Sequence, residues 1–99
     1  MKTGSELIAE ERQRQISEEG WTPEHDDEHS AGQLAMAAAS YAIVDVDEDY
    51  CDIDPVQVIW PWDWNLTWWK PRDRVKNLVK AGALIAAEID RLQRLSGAV

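Results

Sequence analysis

The chain has 99 residues, 44% of them hydrophobic, and a formal net charge of -9. That length sets a single domain over 1–99 with a core small enough for self-association into a homo-oligomer to be expected, and the charge excludes generic nucleic-acid binding, because phosphate backbones call for a basic surface. One cysteine, Cys51, excludes an internal disulfide and a cysteine-based zinc site, while the lack of a signal peptide or bilayer-length apolar run points to the cytoplasm and away from membranes.

The first helix is predicted over 5–19, opened by a capping box of Thr3 with Glu6 and stopped by Gly20 as a left-handed terminator. In such an ending Trp21 packs back on Ile16. Only Leu7, Ile8, Ala9 and Ile16 are apolar, so the helix packs along a narrow stripe. Thr22-Pro23 then opens a loop or single helical turn that carries His25, Asp26, Asp27, Glu28 and His29. Ser30 with Gln33 reads as a second capping box, leading a helix from 31 to about 44. Its Ala31, Ala35, Ala38 and Ala42 recur at four and three residues, beside Leu34 and Tyr41, and small residues in that pattern let another helix approach closely.

Residues 45–54 hold six acids and run up to Pro55. As a calcium loop the stretch fails, because Tyr50 stands where glycine is needed and Val56 where the bidentate glutamate is needed. A solvated acidic connection is the reading, with the option of folding against the bases downstream. Next comes a decapeptide holding five of the six tryptophans: Trp60, Trp62, Trp64, Trp68 and Trp69. In an extended segment the first three share a face. One or two indoles suffice for a core of this size. The remainder imply either a ligand groove or a subunit interface. Only the short 56–60 run resembles a strand.

The last helix is predicted from Pro71 or Arg72 to about Leu95. Val75, Leu78, Val79, Gly82, Ile85, Ala86, Ile89 and Leu92 repeat at three and four residues and predict one buried stripe. Gly82 weakens a helix unless it permits close contact, so Ala38 or Ala42 is expected opposite it. The fold class is therefore all-α: three main helices with a long acidic, tryptophan-rich connection between the second and third.

The start of that helix is cationic, with Lys70, Arg72, Arg74, Lys76 and Lys80 in or before its first turns. Helix N-termini favour anions, so such crowding calls for a compensating negative charge. Two candidates arise: the acids of 45–54, or a bound phosphate held by Arg, Lys and helix N–H groups. Trp60, Trp62, Trp64, Trp68 and Trp69 would supply stacking faces for a nucleotide-type small molecule, and Lys70, Arg72, Arg74 and Lys80 would hold its phosphate.

His25 and His29 are four residues apart, which on a helix sets both on one face at metal-ligand spacing. With Asp26 and with Glu88 from the last helix they form the candidate metal set. A histidine hydrogen-bonded near a helix start is the plainer reading of either.

The run Leu7-Ile8-Ala9-Glu10-Glu11-Arg12-Gln13-Arg14-Gln15, then Glu19-Gly20-Trp21, His25-Asp26-Asp27 and His29-Ser30, resembles the opening of phage-encoded relatives of the MazG-like all-α nucleoside triphosphate pyrophosphohydrolases. The closing run from Val79 to Arg91 is similar to their last core helix. Nearly the whole chain, including Trp60-Pro61-Trp62 and Trp69-Lys70-Pro71, resembles more closely a group of small bacteriophage and prophage proteins, a likeness that carries no activity with it. The enzymes hold magnesium with paired glutamates on the helix after the histidine loop. Here that segment, Ser30 to Ala39, has no carboxylate. Hard divalent ions need charged oxygen ligands, so an active enzyme would have to rebuild its magnesium or manganese site from Asp26, Asp27, Glu28 and Glu88.

The indoles and cations together are read as binding a nucleotide-type ligand without turnover, and the phage resemblance implies a setting in the host cytoplasm, where the protein would sequester a host immune signalling nucleotide. A metal-dependent pyrophosphohydrolase is the alternative. A third reading is an acidic inhibitor of a basic host protein, engaging it through Glu10, Glu18, Glu24 and 45–54.

Overall fold

Thr3 caps the first helix as its sequence dictates: its hydroxyl accepts the Glu6 N–H at 3.2 Å, and the Glu6 carboxylate accepts the Thr3 N–H at 3.0 Å. The computed structural model, which describes residues 1–97, sets α1 over Gly4–Ser17. Gly20 takes a left-handed φ of 73° beyond the helix end. The Trp21 N–H then bonds the Gln15 carbonyl at 2.9 Å, turning the chain back over the last turn of the helix as the glycine ending predicts.

Thr22 and Pro23 start the one-turn helix α2, Pro23–Asp27, with the Thr22 hydroxyl accepting the His25 N–H. The second predicted capping box does not form. Gly32, at φ 90°, precedes α3 (Gln33–Ile43), and the Gln33 side chain is spent on the Ala31 N–H and on Asp63. The 56–60 run is no strand: Asp54 caps α4, Pro55–Val58. A 3-10 turn follows at Leu66–Trp68, capped by Asn65, and α5 runs over Arg74–Ser96 with Asp73 as its cap. Among the described residues all regular structure is helical.

α5 is the central element, packed against α3 on one side and α1 on another, with α2 touching it and α4 lying on α3. The core joins Leu34, Ala37, Ala38 and Tyr41 of α3 to Ala81, Leu84 and Ala87 of α5, with Trp60 and Trp64 packed in from the connection. Small residues on both helices allow the close approach that the alanine spacing predicts. Two further corrections concern α5. Gly82 does not face α3: a Cβ built there would lie 2.5 Å from Ile8 Cδ1, so the glycine makes room for α1. The predicted buried stripe is largely solvent-facing, with Val75, Leu78, Ile85, Ile89 and Leu92 all exposed. What α5 buries is the face bearing Asn77, Ala81, Leu84, Ala87 and Arg91, because the approach to α3 selects small or hydrogen-bonded side chains over bulky aliphatic ones.

Candidate ligand-binding cleft

The segment from Trp68 to Arg72 is held by two buried polar side chains. Tyr41 of α3 donates its hydroxyl to the Trp68 carbonyl at 3.0 Å and accepts the Lys70 N–H at 3.0 Å. Asn77 of α5 accepts the Arg72 N–H at 2.6 Å, returns a bond to the Arg72 carbonyl at 2.9 Å and donates to Asp45 at 2.8 Å. Buried polar groups at such positions are satisfied or costly, and here their satisfaction fixes the backbone that carries Trp68, Lys70 and Arg72.

Two adjoining hollows open beside that segment and share Arg14, Glu19, Lys70 and Lys80 as walls. The smaller, of about 320 Å³, is completed by Trp21, His25 and Trp68. The larger, of about 760 Å³, extends along α1 and the start of α5, past Glu11, Arg72, Lys76 and Val79. Trp21 and His25 stack with centroids 5.9 Å apart and planes within 7°. Arg12 positions Trp21 by bonding its carbonyl at 3.3 Å.

The cations of the cleft differ in their partners. Arg14 is bound to Glu11 at 2.7 Å and to Glu19 at 3.0 Å, which raises its pKa and ties the wall together. Burial pushes the Glu11 carboxyl upward, and the hydrogen bond and charge of Arg14 outweigh this, so its net shift is downward. None of Lys70, Arg72 and Lys80 forms an ion pair among the described residues. Lys80 sits 5.0 Å over the Tyr41 ring, and burial lowers its pKa, outweighing the opposing charge of Glu11. The acids of 45–54 do not neutralise these groups; Asp45 serves the Asn77 amide instead.

Of the predicted ligand residues, Trp68, Lys70, Arg72 and Lys80 converge on the cleft. Trp60 and Trp64, each 6% exposed, are core residues with no face free for stacking. Trp69 is partly buried, 4.7 Å from Tyr41 and 5.1 Å from Trp60 between ring centroids. Trp62 is 92% exposed and lines neither hollow. The expected alternation fails because the chain turns at Pro61, whose carbonyl accepts the Trp64 N–H at 3.1 Å. Arg74 also lies outside: its guanidinium donates to the Ala42 carbonyl at 2.7 Å, satisfying the end of α3. Sequence reasoning missed Arg14 and Trp21, which come from a distant part of the chain; the unusual Arg12-Gln13-Arg14 cluster in an acidic helix was the available signal.

The metal set is not assembled. No group of three or more His, Cys, Asp and Glu side chains is placed to hold an ion among the described residues. Asp26 is fully buried and paired with Arg12 at 2.6 Å, while Glu88 is committed to Arg91. His25 and His29 pack ring to ring at 4.9 Å, and His29 reaches Trp64 at 4.9 Å, so the imidazoles extend the aromatic cluster instead of meeting Glu88. No helix is long and apolar enough to cross a membrane among the described residues. No family model, curated protein or solved structure matches the chain, so the chemistry of the cleft rests on its own side chains.

Proposed function

We propose that the chain binds a nucleotide-type ligand in the cleft and releases it unchanged. One observation carries the reading: Trp68 and Trp21 line a hollow whose cations Lys70 and Lys80, with Arg72 adjoining, form no ion pair among the described residues, the charges of Glu11 and Glu19 reaching Lys80 only at longer range. An aromatic face can stack a base, and unneutralised Lys and Arg beside it can take the phosphates. Each hollow falls in the size range of small-molecule sites. Binding without turnover is favoured over hydrolysis because the carboxylates a hard metal would need, Asp26 and Glu88, are engaged by arginines. A biological setting consistent with this is a phage protein that withholds a signalling nucleotide from its host receptor.

The test is calorimetric titration with mono-, di- and cyclic nucleotides, with inorganic phosphate as the comparison. Micromolar or tighter binding of at least one nucleotide, with the ligand recovered intact by chromatography, is the expected result. No heat from any nucleotide, or hydrolysis of the bound one, rejects the proposal.

A further inference from the structure

Glu19 is a carboxylate on a wall rich in cations. It stands just beyond α1, two residues before Trp21, and borders both hollows together with Arg14, Lys70 and Lys80. Its Oε1 accepts the Arg14 Nη1–H at 3.0 Å. Arg14 in turn grips Glu11, donating from Nε at 2.7 Å and from Nη2 at 2.9 Å. The guanidinium is thus consumed in holding two acids and is not a free phosphate ligand. Glu11 is spent as well: its side chain is 14% exposed, and its Oε2 also accepts the Gln15 amide at 3.2 Å. Glu19 differs. Its side chain is 39% exposed, and its Oε2 makes no hydrogen bond among the described residues. The wall therefore presents one oriented acceptor near the two lysines.

Such an acceptor would be a liability if the cleft took phosphate alone, because a carboxylate near Lys70 and Lys80 repels the anion that the lysines attract. It serves a ligand that carries a hydrogen-bond donor next to its phosphate. The order of groups along the cleft identifies the donor. Trp21, His25 and Trp68 surround the smaller hollow, Arg72 and Lys76 border the larger one, and Glu19 lies on the wall they share. A nucleotide has the corresponding order of base, sugar and phosphate. With its base on the indoles and its phosphate toward Lys80 and Arg72, its sugar meets the shared wall. Carboxylates recur as acceptors for the ribose 2′-hydroxyl in nucleotide sites, and that hydroxyl is what separates ribose from deoxyribose. We infer that Glu19, braced by Arg14, accepts the 2′-hydroxyl of the bound nucleotide and makes the cleft selective for ribonucleotides over deoxyribonucleotides, a selectivity that rests on the nucleotide reading of the cleft.

The test is calorimetric titration of the parent chain with mono-, di- and cyclic nucleotides of adenine, guanine, cytosine and uracil, each beside its 2′-deoxy counterpart. The ribose form of the tightest ligand should bind about ten-fold or more tightly than its 2′-deoxy form, as expected for a hydrogen bond to a charged group. Glu19→Ala should close that gap. Glu18→Gln, which removes a carboxylate 3.7 Å from Arg14 that borders neither hollow, should leave it open. Equal affinity of the parent chain for the two sugars overturns the inference while nucleotide binding stands, and this comparison needs no variant to fold. A gap that survives Glu19→Ala overturns the role of Glu19. Binding of no nucleotide at all overturns the reading of the cleft and the sugar selectivity with it.

Discussion

The wholly buried Asp26 carboxylate accepts a 2.6 Å hydrogen bond from the Arg12 guanidinium, which also reaches the Trp21 carbonyl at 3.3 Å. This contact joins α1 to α2 and sets the position of the Trp21 wall. Removing one member of a buried pair leaves the other charge uncompensated, at a cost of about 3–5 kcal/mol. Arg12→Met should lower the free energy of unfolding in urea by that order. A loss below about 1 kcal/mol would show that water reaches Asp26.

Tyr41 carries both contacts that hold the Trp68 to Lys70 backbone. Tyr41→Phe keeps the ring's packing and removes both bonds, leaving a carbonyl and an N–H without partners, so stability should fall by about 1–3 kcal/mol. Ligand affinity should fall with it, because Trp68 and Lys70 lose their common anchor. A variant as stable as the parent in thermal unfolding would contradict the assigned role.

The cleft separates tryptophans that look alike in the sequence. Stacking on an aromatic side chain contributes about 1–3 kcal/mol per base, so Trp68→Ala should reduce nucleotide affinity by roughly ten-fold or more. Trp62→Ala should leave affinity unchanged, since that ring lines neither hollow. Equal losses for the two variants in calorimetry would mean that the ligand sits elsewhere.

His29 predicts an acid-side sensitivity. Burial, with a smaller contribution from His25, lowers its pKa below the ordinary 6.5. Below 6.5 the unfolded imidazole takes up a proton that the folded one resists, so its contribution to stability is whole above 6.5 and is lost as pH falls through the lowered value. Melting temperatures of the parent and of His29→Leu, compared from pH 8 to pH 5, should show the parent losing stability relative to the variant as pH falls. Parallel curves would rule out His29 as the source.

Much of the helical framework was legible because it is local. The Thr3 and Glu6 box, Pro23 as first residue of a turn, the alanine face of α3 and the length of α5 all follow from neighbours within a few residues. What sequence periodicity could not fix was which side of α5 faces inward. Its aliphatic stripe has the stronger pattern, yet the interior took Ala81, Arg91 and Asn77, the last satisfied by Asp45, 32 residues away in the chain. In the candidate site, Trp68, Lys70, Arg72 and Lys80 were found by their proximity in sequence, and Arg14 and Trp21 only by folding. Trp60 and Trp64 were drawn inward because the turn at Pro61 reverses the alternation expected of an extended segment.

Trp64 sits 5.6 Å from Trp60 on its interior side, and 5.2 Å from Trp68 and 6.5 Å from Trp21 on the other, between ring centroids. It is a partition shared by two rooms. A substitution that enlarges or shrinks this ring alters the hydrophobic interior and, through Trp68 and Trp21, the walls of the cleft together, so change at this position is filtered by whether the chain still folds. Variation confined to the cleft has to come from outward side chains such as the cations Lys70 and Arg72, where a change of side chain leaves the partition standing.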